Sequence, residues 1–115
     1  MTQEADARLP LRFGAIDQAG PETALLIEGD APAPAGRAVA RFALPAGFPR
    51  HAIGCACCAP RGPAAEALGR LFLARARGGK WFREVLAVAG PSGQAAVRAA
   101  LAEDVVTAAR FRVAD

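Results

Sequence analysis

The chain has little that would let it work by familiar routes. It has one histidine, His51, and one lysine, Lys80. Its cysteines number three, and all fall between residues 55 and 58. An odd number of thiols crowded into so short a stretch cannot cross-link distant loops, and adjacent cysteines bridge only with strained geometry, so a disulfide scaffold is excluded. No apolar run approaches the length needed to span a bilayer. The opening residues, MTQEADARLP, are acidic and polar where a secretory leader would be basic and then apolar, and a reducing cytoplasm is the expected compartment. The formal charge of +3 comes from arginines scattered along the chain. Nucleic-acid binders cluster such charge on one face with aromatics between. Here only Arg70, Arg75 and Arg77 come close, and helical spacing spreads them over a polar face that reads as solvated surface. Neither a nucleic acid nor a membrane is expected as a partner.

A chain of 115 residues is expected to form one domain around a single core, with residues 1–8 a flexible terminus. There is no internal repeat. Leu9–Phe13 and Thr23–Glu28 (TALLIE) read as strands, separated by a turn-like GAIDQAGPE. The prolines of 31–36 (APAPAG) forbid regular structure, and Arg37–Leu44 is a third, weaker strand. Pro63 suits the first turn of a helix that Gly78-Gly79 stops, with Leu68, Leu71, Phe72 and Arg75 at helical spacing and Glu66 paired with Arg70 on the outer face. Trp81–Ala89 carries the run VLAVA, which reads as a strand buried on both sides. Gly90-Pro91-Ser92-Gly93 turns the chain, with Ser92 a candidate cap for a helix over Gln94–Ala102 that buries Val97 and Leu101. Asp104 is positioned to cap a short helix running to Arg110, and Phe111–Val113 begins a last strand. Short alternating units of this kind predict an α/β fold with a small, mainly parallel sheet and flanking helices.

The densest chemistry lies in His51–Arg61, HAIGCACCAPR. Thiolates are soft ligands for zinc and copper(I), and also the best nucleophiles in the chain. Three within four residues exceeds what packing needs, since a core uses cysteine as an occasional small filler. The amides at the start of the Pro63 helix and the charge of Arg61 favour thiolate. A tetrahedral site wants four ligands, or three and an open position. Cys55, Cys57 and Cys58 supply up to three, and His51 is the next candidate. Glu28 or Asp30 would also come near if the TALLIE strand ends beside the motif, because strand C-termini gather at one edge of a parallel sheet. For these two acids, however, a plain turn role weighs more heavily.

The run GCACC, then PRG, a helix of the form AAEALGRLFLARARGG, the strand REVLAVAG and the segment SGQAAVRAALAEDVVTAARFRV together resemble the CobW family of GTPase metallochaperones over residues 53–113. The resemblance implies a truncated P-loop-NTPase-like domain and metal binding at Cys55, Cys57 and Cys58. It also implies a client protein or a full-length GTPase relative as partner. The chain departs from the family where nucleotide would bind. Gly20-Pro21-Glu22-Thr23 stands where a lysine-containing phosphate loop is expected; Pro21 removes an amide and Glu22 repels phosphate. Ala87-Val88-Ala89-Gly90 offers nothing to bind magnesium. No nucleotide and no GTPase activity are therefore expected, and the chain reads as a non-catalytic binder of zinc or copper(I). Two other classes stay open: a thiol redox or persulfide-handling protein, and an interaction module whose uncovered sheet edges pair with another chain or with a second copy.

Overall fold

A computed structural model describes residues 7–44 and 62–114. The cysteine motif and His51 lie outside the described residues. Five strands, β1 (Leu9–Phe13), β2 (Thr23–Glu28), β3 (Val39–Phe42), β4 (Glu84–Val88) and β5 (Phe111–Val113), form one sheet in the order β3-β2-β4-β1-β5. Every neighbouring pair is parallel. The helices are α1 (Pro63–Ala76), α2 (Pro91–Glu103) and α3 (Val105–Arg110). The α/β expectation holds, and the sheet is parallel throughout.

The connections obey one rule. From β1 to β2 and from β2 to β3 the chain moves towards the β3 edge, whereas from β3 to β4 and from β4 to β5 it moves towards the β5 edge. Right-handed crossovers that travel in opposite lateral directions must pass over opposite faces of the sheet. The two that carry helices share a face: Ala64, Ala67, Leu68 and Leu71 of α1 and Val97 of α2 pack on Leu11, Leu26, Val85, Ala87, Phe42 and Phe111. The helix-less crossovers cover the other face, where Ile16, Ala19 and Ala33 pack on the fully buried Leu25, Ile27 and Leu86. That is why TALLIE and VLAVA read as continuous apolar runs: both faces of β2 and β4 are covered, so neither strand alternates.

With no α-helix on the second face among the described residues, a polar network at the N-terminal end of the sheet fastens the first crossover. Arg12 donates from Nε and Nη2 to the two oxygens of Glu84 at 3.4 and 3.2 Å, and from Nη2 to the carbonyl of Gln18 at 3.0 Å. The Thr23 hydroxyl, almost fully buried, donates to Glu84 Oε2 at 2.6 Å and accepts from the amide of Gly20 at 3.0 Å. Arg37, from the second crossover, reaches the carbonyls of Gly20 and Thr23. The Arg12 guanidinium and the Thr23 hydroxyl hold the Glu84 carboxyl below the usual carboxylate range, and both outweigh its partial burial.

Local detail corrects several expectations. The turn-like segment after β1 contains a 3-10 turn, Ile16–Gln18. Helix α2 begins at Pro91 with Gly90 as its cap, so Ser92 lies inside the first turn, and Leu101 is only partly buried. The fourth strand is shorter than expected, because Trp81 precedes it and is half exposed. Helix α1 closes as expected at Gly78, whose φ of +87° suits only glycine. The short helix α3 is capped as expected: Asp104 Oδ1 accepts from the amides of Val106 and Thr107, both at 3.1 Å.

Two arginines read as solvated surface have structural partners instead. Arg75 donates from Nε to the carbonyl of Phe82 at 2.6 Å and lies over the rings of Trp81 and Phe82. Arg70 donates to the carbonyl of Arg41 at 2.8 Å, engaging a backbone acceptor of the edge strand β3. The opposite edge strand, β5, has only 3 residues. A guarded edge and a short one are both ordinary defences against strand addition. Among the described residues no helix is long and apolar enough to cross a membrane.

Candidate functional site

In an open parallel sheet, ligands collect outside the strand C-termini where two neighbouring strands send their connections in opposite directions. Here that point lies between β2 and β4. The chain leaving β2 turns towards β3, and the chain leaving β4 turns towards β5. The residues at this crevice are Glu28, Gly29 and Asp30 on one side and Ala89, Gly90 and Pro91 on the other.

Glu28 is the last residue of β2, and its side chain crosses to the start of α2, where Oε1 accepts from the amide of Gly90 at 3.0 Å. The first amides of a helix lack intrahelical partners and carry the positive end of its dipole, so a carboxylate is stabilised there. Gly90 has no side chain with which to cap the helix itself, and a carboxylate from the neighbouring strand substitutes. Gly93 makes the approach possible. A Cβ at that position would overlap the Glu28 carboxylate and lie 2.9 Å from Ala89 Cβ. Gln94 completes the turn by donating from Nε2 to the carbonyl of Ala89 at 2.9 Å. The switch point is thus filled by the chain's own anion. A phosphate brought to the Gly90 amide would have to displace Glu28 and overcome its charge.

Glu28 therefore holds a hydrogen bond to the start of α2. Asp30 is exposed beyond the turn that follows β2, where Gly29 adopts a φ of +94° and donates its amide to the carbonyl of Phe42 at 2.9 Å. The first is committed to α2 and the second is open to solvent.

Cys55, Cys57, Cys58 and His51 fall in 45–61, outside the described residues. The described residues on either side of that stretch are informative. Leu44 follows the C-terminal end of β3, and Gly62 caps the N-terminus of α1, which packs across β3 and β2. Both lie at the sheet edge that carries Glu28 and Gly90. Among the described residues no three of histidine, cysteine, aspartate and glutamate come together to hold a metal ion.

Sequence reasoning missed the role of Gly93, since nothing in GPSGQ distinguishes a glycine needed for a turn from one needed to admit a carboxylate. It also missed a grouping of arginines from the two ends of the chain, Arg8, Arg98 and Arg112, around one cavity. Comparison with known proteins adds no relative: no protein-family model, no curated protein and no solved structure matches this chain.

Proposed function

We propose that this chain is a non-catalytic metal-binding protein that holds zinc, or copper(I), through Cys55, Cys57 and Cys58, with His51 as a further ligand, on a CobW-like scaffold. The observation that carries the reading is the density of the motif: three thiols in four residues, in a segment that leaves the fold after β3 and rejoins it at α1, at the C-terminal edge of the sheet. Three thiolates and an imidazole make a soft donor set matched to these two ions and poorly matched to magnesium or calcium. The positive end of α1, which begins immediately after the segment, favours the deprotonated thiols that metal binding needs. The carboxylate already seated at the start of α2 supports a scaffold without nucleotide. The metal would be stored or passed to a client protein in a reducing cytoplasm, where the thiols stay free.

Elemental analysis of the reduced protein, purified without added metal, tests this. Zinc or copper at about one equivalent per chain is expected, and the Cys55/Cys57/Cys58→Ser variant should carry none. A triple variant that keeps its metal ends the proposal. The same helix N-terminus favours a second reading, a thiol redox or persulfide-handling protein with a lowered cysteine pKa. Alkylation at mildly acidic pH separates the two. A metal-bound cluster resists until a chelator is added, while a low-pKa thiol reacts at once.

A further inference from the structure

The expectation of no nucleic-acid partner rests on scattered charge, and the charge is less scattered than the arginines suggest. Residues 75–83, which join the end of α1 to β4, hold Arg75, Arg77, Lys80 and Arg83 and no acid. The other ten basic side chains are outnumbered by the 11 acids of the chain, so this connection accounts for the whole net charge of +3. It also holds Trp81, the sole tryptophan, which is 54% exposed although Phe82 beside it is buried. We propose that this connection binds single-stranded nucleic acid, with Trp81 stacking on a base and its basic neighbours on the flanking phosphates.

The turn fixes the ring in place. Gly78 takes a φ of +87°, and the amide of Gly79 donates to the carbonyl of Ala74 at 2.8 Å, so the chain folds back on the last turn of α1. Gly79 admits this closeness, because a Cβ there would sit 2.7 Å from that carbonyl oxygen. Arg75 then ties down both residues that follow the turn. Its Nε donates to the carbonyl of Phe82 at 2.6 Å, and its Cζ lies 4.9 Å from the centre of the Trp81 ring. The indole is thus held against a cation while more than half of the residue stays open to solvent. A ring held in this way is a platform for a base, since every base has a π-face and stacking needs no base-specific contact. Arg77, Lys80 and Arg83 are exposed in the same connection. The pair that Arg83 makes with Glu22, at 3.3 Å between groups 72% and 52% exposed, is weak enough to be exchanged for a phosphate. The dipole at a helix C-terminus attracts cations, which explains Arg75 and Arg77 but not a tryptophan left half in water. A membrane surface would call for a broader apolar face than one indole, and a duplex keeps its bases stacked on one another. The connection lies at the N-terminal end of the sheet, opposite the edge from which the cysteine motif departs, so the site does not depend on the metal-binding reading.

Titrating the reduced full chain with an oligothymidylate of about 15 nucleotides tests the proposal through the emission of Trp81. Saturable quenching is expected, with log K falling against log salt at a slope of about −2, as three phosphate contacts on a single strand require. Trp81→Ala should weaken binding about fivefold or more, read by the anisotropy of a labelled oligomer, and Trp81→Phe should restore much of it. Arg77→Gln combined with Lys80→Gln, two changes at exposed side chains, should make the slope shallower by about 1.4. No quenching at low salt, or equal binding by Trp81→Ala, overturns the site. A duplex of the same length that binds and quenches as well overturns the single-strand assignment. Polyglutamate or vesicles of anionic lipid that match the oligomer would overturn it too, in favour of an acidic polypeptide or a membrane surface.

Discussion

Replacing Glu84 by glutamine isolates the network that fastens the helix-less face, and its cost can be worked out from its contacts with Arg12 and Thr23. The ion pair with Arg12 spans 3.2 Å between groups that are 34% and 29% exposed, so its loss is worth only about 0.5–1 kcal/mol. The Thr23 hydroxyl is a different matter. It is nearly fully buried and donates at 2.6 Å, so it needs an acceptor, and a charged one is worth about 1 kcal/mol more than the neutral amide oxygen that glutamine offers. The deficit at neutral pH is therefore about 2 kcal/mol, or roughly 10 °C in Tm for a domain of this size. The exposed pair Arg83–Glu22, at 3.3 Å but 72% and 52% exposed, provides the contrast. Glu22→Gln should cost less than about 0.5 kcal/mol.

The pH dependence sharpens this test. Glu84 titrates below the usual carboxylate range when folded, so the stability it contributes is fully present above the unfolded value of about 4.3 and is lost as pH falls through the lower folded value. Urea unfolding of the parent and of Glu84→Gln should show a gap that is constant from pH 7 to about 5 and closes at more acidic pH. A Thr23→Val variant supplies the coupling, and a cycle with Glu84→Gln should return at least about 0.5 kcal/mol of interaction. The reasoning is refuted if the gap is absent at pH 7, or if it persists unchanged in acid.

Gly93→Ala should destabilise the fold by roughly 1–3 kcal/mol despite the better helix propensity of alanine, because the new methyl meets Glu28 Cδ at 2.6 Å and Ala89 Cβ at 2.9 Å. In a Glu28→Ala background part of that penalty should vanish, and equal penalties in the two backgrounds, measured by urea unfolding, would show that the carboxylate is not what the methyl meets. Asp104→Ala removes the acceptor of two amides at the start of α3 and should cost about 1 kcal/mol, whereas Asp104→Asn should be nearly silent. Thermal melts of the two variants side by side check the pair.

The strands and helices were legible because each carries a local signature. TALLIE reads as a strand and VLAVA as one buried on both faces, Pro63 and Gly78 bracket α1, and Asp104 sits where a cap must. The alternation of strands and helices also carried the parallel sheet. The two helix-less crossovers were harder to read. A turn-like GAIDQAGPE and a proline loop say nothing of which face they cover, and that is decided only by the lateral direction of each connection. Arginine was the other blind spot. In sequence Arg12, Arg70 and Arg75 look like any solvated cation, because the Glu84 carboxylate and the Arg41 and Phe82 carbonyls that receive them arrive from other elements. The cysteine motif is the reverse case: its thiols are plain in its residue types, while their placement lies outside the described residues.

The two ends of the sheet are put to different uses. At the N-terminal end Arg12, Thr23, Glu84 and Arg37 spend their polar groups on fastening crossovers that have no helix to hold them. At the C-terminal end Glu28 answers the amide of Gly90. That single bond has a consequence for the rest of the edge. The dipole of α2 already faces an anion, whereas α1 starts with Gly62, which has no side chain, so its first amides must find partners elsewhere. Of the two helices that begin at this edge, α1 is the one that follows Cys55, Cys57 and Cys58 in the sequence. Thiolates close to that helix start would be stabilised by the same field that Glu28 meets at α2. Under the proposed metal-binding reading, the three cysteines before α1 would hold the soft cation, while the start of α2 is filled by the chain's own carboxylate.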